Sequence, residues 1–95
     1  MTESGKRKAK RRLKELHHQL GQLGPLMRGT VVRIGTRSKQ FYFSMNKDKK
    51  TRLIYLGDKR EKTARILSDN YKELLAVVEE MTALNMVLLK NDALE

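Results

Sequence analysis

Leucines recur at intervals of three and four residues near the start of the chain, at Leu13, Leu16, Leu20 and Leu23. This spacing places them on one stripe of a helix, so the pattern predicts a helix over residues 13–23. Gly24-Pro25 ends it, because proline has no amide hydrogen to donate and disfavours helical backbone at the preceding residue.

The pattern changes to a period of two between residues 26 and 57, where β-branched and aromatic residues dominate. It predicts three strands, at Thr30–Ile34, Gln40–Met45 and Thr51–Leu56. The polar stretch Asn46–Lys50 predicts a hairpin loop of about three to five residues between the second and third strands. No Asn-Gly or Asp-Gly pair fixes the turn type, so the pairing register stays open.

A second helical pattern covers residues 58–91, with apolar positions again alternating at spacings of four and three. Ser68-Asp69-Asn70 is a candidate interruption, so either one kinked helix or a pair of helices is predicted. The predicted fold class is α+β: an N-terminal basic helix, a three-stranded antiparallel sheet, and a C-terminal helix or kinked helix pair.

Length and composition narrow the class of protein. Ninety-five residues favour a single domain, predicted over residues 13–92, and leave little room for a deep substrate cleft. The absence of cysteine excludes disulfides and thiolate zinc sites and favours a cytoplasmic location. No signal peptide or membrane span is predicted, since no sufficiently long apolar run exists. Neither a cofactor nor a small-molecule substrate is expected.

Charge is distributed unevenly along a chain whose net charge is +10. Residues 1–14 hold seven basic and one acidic residue, residues 15–60 ten and three, and residues 61–95 four and seven. Like charges repel each other along a helix, so residues 1–12 are predicted to be a disordered arm that a polyanion would order. Such a cluster is typical of proteins that bind nucleic acid, DNA or RNA.

Six basic residues of the arm are therefore predicted to bind phosphates, and three residues of the sheet are predicted to extend the surface. Phe41 and Phe43 share the face that the core needs, whereas Tyr42 points the other way and is a candidate for stacking on bases. The alternative is that the arm serves only solubility. The predicted nucleic-acid-binding residues are Lys6, Arg7, Lys8, Lys10, Arg11, Arg12, Arg33, Tyr42 and Arg52.

The sequence shows no set of residues with the spacing that a metal site or a catalytic nucleophile and base would need. His17 and His18 are neighbours, so in a helix their side chains diverge by about 100° and cannot chelate one ion together. No other histidine or cysteine exists to complete a metal shell or a nucleophile and base pair. The chain is predicted not to be an enzyme and to hold no metal.

The C-terminal apolar stripe has two candidate uses. It could cover the sheet of its own chain, or its three-four alternation could form a helix pair with a second copy, with Asn85 as the polar residue that selects register. We expect part of it to pack on the sheet and the rest to form a homodimer, which gives a protein-interaction module as the alternative function. The predicted dimer residues are Leu74, Val78, Met81, Asn85 and Leu88.

Several short segments also resemble a known family. They are the opening Pro25–Val32, the strand residues Tyr42-Phe43-Ser44 and Lys50–Leu56, and the helix segments Asn70–Leu74 and Leu84-Asn85. Over about residues 25–90 the chain is similar to short prokaryotic proteins of uncharacterised function that are often found beside mobile elements and transposase genes. Many members carry cysteines between the first two strands, where this chain has Gly35-Thr36-Arg37-Ser38-Lys39. The resemblance implies the architecture and a DNA-related setting.

Overall fold

The first helix, α1, is longer than the leucine pattern predicts. The computed structural model describes residues 1–94 and gives α1 as Glu3–Gln22. The amide of Gly5 donates to the Thr2 hydroxyl at 3.0 Å, which caps the N-terminus. Residues 3–12, predicted to form a disordered arm, are therefore helical in the structure. Ala9, in the middle of that segment, is only 7% exposed, so packing offsets the repulsion between the charges.

Three strands follow, and they confirm the predicted antiparallel sheet. They are β1 (Thr30–Ile34), β2 (Gln40–Lys47) and β3 (Lys50–Tyr55), in the spatial order β1-β2-β3. Val31 lies opposite Phe43 in the first pair, and Phe43 lies opposite Ile54 in the second. The α+β fold class is thus confirmed.

The β2–β3 connection is shorter than predicted. Lys47 pairs with Lys50, so only Asp48 and Lys49 form the loop. Both have positive φ angles, 55° and 62°, as a type I′ turn requires. The prediction of a longer loop was wrong, because an aspartate and a lysine take the left-handed conformation that an Asn-Gly pair would have signalled.

The second helix, α2, runs without interruption over Gly57–Lys90. Its polar residues Ser68 and Asn70 bind the α1–β1 loop instead of ending the helix. The Ser68 hydroxyl donates to the Gly29 carbonyl at 2.7 Å, and the Asn70 amide donates to the Pro25 carbonyl at 2.7 Å. Of the two predicted forms, a C-terminal helix or a kinked helix pair, the single helix is confirmed, and the residues that were candidates to break it make tertiary hydrogen bonds instead.

The chain divides into two compact units, and the single domain over residues 13–92 stays a prediction. One unit contains Met1–Leu23 and the described residues from Glu73 onward, and the other is Gly24–Lys72. The first is an antiparallel helix pair. Its hydrogen bonds join Met1 to Asn91 (3.2 Å) at one end and Gln19 to Glu73 (3.1 Å) at the other.

Each unit has its own core. In the helix pair, Ala9 packs with Leu88 and Ala93, and Leu13 and Leu84 lie alongside. In the unit that contains the sheet, Phe43 is fully buried with Leu56 and Ala64 of α2, so the first half of α2 covers one sheet face. No helix among residues 1–94 is long and apolar enough to cross a membrane.

Candidate nucleic-acid interface

Helix α1 separates its apolar and basic side chains onto two sides. The apolar set Ala9, Leu13, Leu16 and Leu20 is buried or half-buried at successive spacings of four, three and four. A second set has the same spacing two residues earlier, which rotates it about 200° around the helix axis. That second set is Arg7, Arg11, Lys14 and His18, and all four are exposed.

Lys10, also exposed, borders the second set. We call Arg7, Lys10, Arg11, Lys14 and His18 the basic face of α1. With a rise of 1.5 Å per residue, its charges, from Arg7 to Lys14, extend over roughly 10 Å of helix. Three residues of the predicted set lie on it, while Lys8 is exposed on its flank. The sequence prediction missed Lys14 and His18, although the leucine pattern held the signal, because each of them precedes a leucine by two positions.

Arg12 does not belong to this face, although it was predicted to bind phosphate. Its guanidinium holds the Glu80 carboxylate with two hydrogen bonds, Nε to Oε2 at 2.5 Å and Nη2 to Oε1 at 2.9 Å. Its Nη1 donates to Glu15 at 3.1 Å. Arg12 thus joins α1 to α2 within the helix pair. Lys6 is half-buried beside the apolar side of α1, so it too lies off the basic face.

The ion pair changes the protonation of both partners. The hydrogen bond from Arg12 lowers the pKa of the Glu80 carboxyl below its ordinary value. The hydrogen bonds to Glu80 and Glu15 raise the pKa of Arg12. Both groups stay charged near neutral pH, and the carboxylates of Glu80 and Glu15 are bound to Arg12 instead of to the basic face.

In the sheet, the predicted residues fall on opposite faces. Residues directly opposite each other in adjacent strands share a face. Arg33 lies opposite Phe41 and Arg52 lies opposite Met45, on the face that α2 covers. The Arg33 guanidinium lies 5.5 Å from the Phe41 ring centroid, a cation–π contact that ties it to the core side.

Tyr42 lies on the other face, as predicted, in a row with Val32 and Tyr55. The structure therefore separates Tyr42 from Arg33 and Arg52, which were predicted to extend one surface together. The aromatic and the arginines cannot contact the same nucleotide from the two sides of one sheet.

The five predicted dimer residues differ in how far they are exposed. Leu88 is 1% exposed and packs against Ala9, so its partner is intramolecular. Leu74, Met81 and Asn85 are half-buried, whereas Val78 is 44% exposed. The exposed apolar residues on the same side of the helix as Val78 are Leu75, Met86 and Leu89, at 46%, 51% and 64% exposure.

Among residues 1–94, no group of three or more histidine, cysteine, aspartate or glutamate side chains is placed to hold a metal ion. His17 and His18 are both exposed on α1. The basic face presents guanidinium and ammonium groups, donor types that are suited to phosphate oxygens.

No family model, curated protein or solved structure matches this chain. The resemblance to short prokaryotic proteins found beside transposase genes stays a prediction.

Proposed function

We propose that this protein is a non-catalytic nucleic-acid-binding protein that contacts phosphates through the basic face of α1. The observation that carries the proposal is the separation of charge around that helix. Arg7, Arg11 and Lys14 share one exposed side while the opposite side packs against α2. Because α2 packs against the opposite side of α1, the cations of α1 are presented in a fixed array, as phosphate binding requires.

The array is costly without an anionic partner. Arg7 and Arg11 are four residues apart on the helix, and Arg11 and Lys14 are three apart; like charges at these spacings destabilise a helix. A phosphate backbone offsets this repulsion and gains the entropy of released counterions. This balance favours a polyanion as the partner of the basic face.

Anionic membranes are a poorer partner for the same helix. An amphipathic helix binds a membrane by inserting its apolar side between the lipids. In α1 that side is already buried: Ala9 is 7% and Leu16 is 1% exposed. Only the charges remain for binding, and charges alone suit a nucleic-acid backbone.

The test is a charge-removing triple variant, Arg7→Gln/Arg11→Gln/Lys14→Gln, titrated against a labelled mixed-sequence duplex and followed by fluorescence anisotropy. Its affinity at low salt should fall by roughly tenfold or more, since three phosphate contacts are lost. The matched control, Lys59→Gln/Lys62→Gln/Lys72→Gln, removes the same charge from exposed positions of α2 and should retain affinity. Equal losses in both variants would show that net charge alone is responsible.

A homodimeric interaction module is the second candidate function. Leu75, Val78, Met86 and Leu89 form an exposed apolar side of α2, with exposures from 44% to 64%. Exposed apolar side chains grouped on one side of a helix are common at association sites of small domains. Val78→Glu/Leu89→Glu should convert a dimer to a monomer in light scattering without unfolding it. Met81 is unsuitable for this test, because it is half-buried within the chain.

A further inference from the structure

One face of the sheet is left without a covering element in the unit Gly24–Lys72, and it is rich in aromatic and aliphatic side chains. Tyr55, Leu53 and Ile34 are 49%, 51% and 43% exposed. Their faces follow from the strand register, in which Val32, Tyr42 and Tyr55 form one row and Thr30, Ser44 and Leu53 the next. We call Val32, Ile34, Tyr42, Leu53 and Tyr55 the open sheet face.

The two tyrosines at the centre of the open sheet face, Tyr42 and Tyr55, contact each other. Their ring centroids are 5.5 Å apart with the rings at 66°, an edge-to-face contact. The Tyr55 hydroxyl donates to the Gln40 amide oxygen at 3.1 Å, and the Gln40 amide nitrogen donates to the Ser38 hydroxyl at 3.2 Å. Little side-chain freedom is left to lose when a ligand binds, which favours a planar ligand stacked on these rings.

The charge around this face identifies the kind of ligand. Residues 24–57 contain eight basic residues and one acidic residue, Asp48. Arg37 and Lys39 precede β2 at one end of the strands, and Lys49 lies in the β2–β3 turn at the other end. None of these three forms an ion pair within the described residues. An apolar protein partner would leave these cations without counter-charges, whereas a phosphate backbone that crosses the sheet would neutralise them.

We propose that the open sheet face binds the unpaired bases of a single-stranded nucleic acid, with Tyr42 and Tyr55 as stacking residues and the flanking lysines and arginines as phosphate contacts. The proposal rests on the nucleic-acid-binding function and adds that unpaired strands have a separate site. Bases in a duplex stack on one another, so only an unpaired strand offers its π faces to aromatic side chains. A sheet surface a few residues across holds about two or three bases.

The experiment compares labelled oligo(dT) with a labelled duplex by fluorescence anisotropy. Tyr42→Leu/Tyr55→Leu keeps apolar area but removes the aromatic rings. It should lower oligo(dT) affinity at least about fivefold, the lower limit for one stacked base, and leave duplex affinity unchanged. Tyr42→Phe/Tyr55→Phe keeps the rings and should keep oligo(dT) affinity. Circular dichroism checks that both variants are folded.

A second measurement works even where the leucine variant fails to fold. Tyr42, Tyr55 and Tyr71 are the three tyrosines of the chain, so Tyr71→Phe leaves the open sheet face as the source of tyrosine emission. Stacked bases should quench that emission as oligo(dT) is added, while a duplex should not. Absence of quenching at saturating oligo(dT) would overturn the inference.

The outcomes separate this inference from the proposed function. Unchanged oligo(dT) affinity in the leucine variant, together with weaker duplex binding in Arg7→Gln/Arg11→Gln/Lys14→Gln, overturns the sheet site and retains the basic face of α1. Equal losses for oligo(dT) and duplex in the leucine variant also overturn the sheet site. Wild-type protein that binds neither probe at low salt overturns both proposals.

Discussion

Arg12 and Glu80 are 68 positions apart in the chain and are joined by two parallel hydrogen bonds of 2.5 and 2.9 Å. The contact lies near the middle of the antiparallel pair formed by α1 and the second half of α2, and it places the most acidic part of the chain beside its most basic helix. Because Arg12 binds Glu80, it is not available as one of the six basic residues predicted to bind phosphates. Arg12 holds α1 against α2, while the basic face of α1 is the proposed phosphate-binding surface.

The Arg12–Glu80 ion pair should make the packing of α1 against α2 less stable at acid pH. The Arg12 hydrogen bond lowers the pKa of Glu80 in the folded state, so its stabilisation is full above the unfolded value, about 4.3. It is lost as pH falls through the lowered folded value. Between about pH 6 and pH 3, the thermal midpoint of the wild type should therefore fall more than that of Glu80→Gln. Parallel curves from the two proteins would contradict this role of the pair.

Removal of charge from the basic face should make the protein more stable. Arg7→Gln/Arg11→Gln/Lys14→Gln relieves like-charge contacts between residues three, four and seven positions apart, where close pairs cost about 0.2–0.5 kcal/mol each. Its midpoint in urea should rise at low ionic strength, and the gain should shrink as salt screens the wild type. A variant less stable than the wild type would mean that these side chains serve the fold.

The β2–β3 turn should accept residues better suited to its backbone. Asp48 and Lys49 have φ angles of 55° and 62°, which cost non-glycine residues about 1 kcal/mol each. Asp48→Asn/Lys49→Gly supplies the preferred type I′ pair and should raise the free energy of unfolding by roughly 1 kcal/mol. Lys50→Gly, within β3, should lower it. Chemical denaturation measures both.

Gly29 should be intolerant of any side chain. Its φ is +142°, and an added Cβ would lie 2.4 Å from Cε1 of Phe43 and 2.7 Å from the Ser44 carbonyl oxygen. Gly29→Ala should cost roughly 2 kcal/mol or more, since both the backbone and the fully buried Phe43 would have to shift. Gly21→Ala is the control, because it meets nothing within 4 Å in exposed helix and should stabilise. Urea titration of the two variants should give changes of opposite sign.

The strands were the most predictable part of this fold, and α1 the least. Alternation of β-branched and aromatic residues placed β1 at its observed bounds, Thr30–Ile34, because one buried sheet face dictates the period. The start of α1 was missed because repulsion among its cations was weighed without the contacts that offset it. Those contacts, Ala9 against Leu88 and Arg12 with Glu80, join residues far apart in sequence.

The candidate site was predictable in residue type but not in arrangement. The density of lysine and arginine indicates a polyanion partner from composition alone. The leucine spacing held the signal for Lys14, but the structure is needed to show that α1 extends back to Glu3 and that Arg12 binds Glu80 instead of lying beside Arg11 and Lys14. Only the strand register shows that Arg33 and Arg52 lie on the opposite face of the sheet from Tyr42.

The salt dependence of duplex binding tests the central claim most directly. If Arg7, Arg11 and Lys14 each neutralise one phosphate, the slope of log affinity against log salt should be less steep in the triple glutamine variant by about 0.9 for each contact, roughly 2.7 in all. The control Lys59→Gln/Lys62→Gln/Lys72→Gln should retain the wild-type slope. Identical slopes for the wild type and the α1 variant would contradict phosphate binding by the basic face.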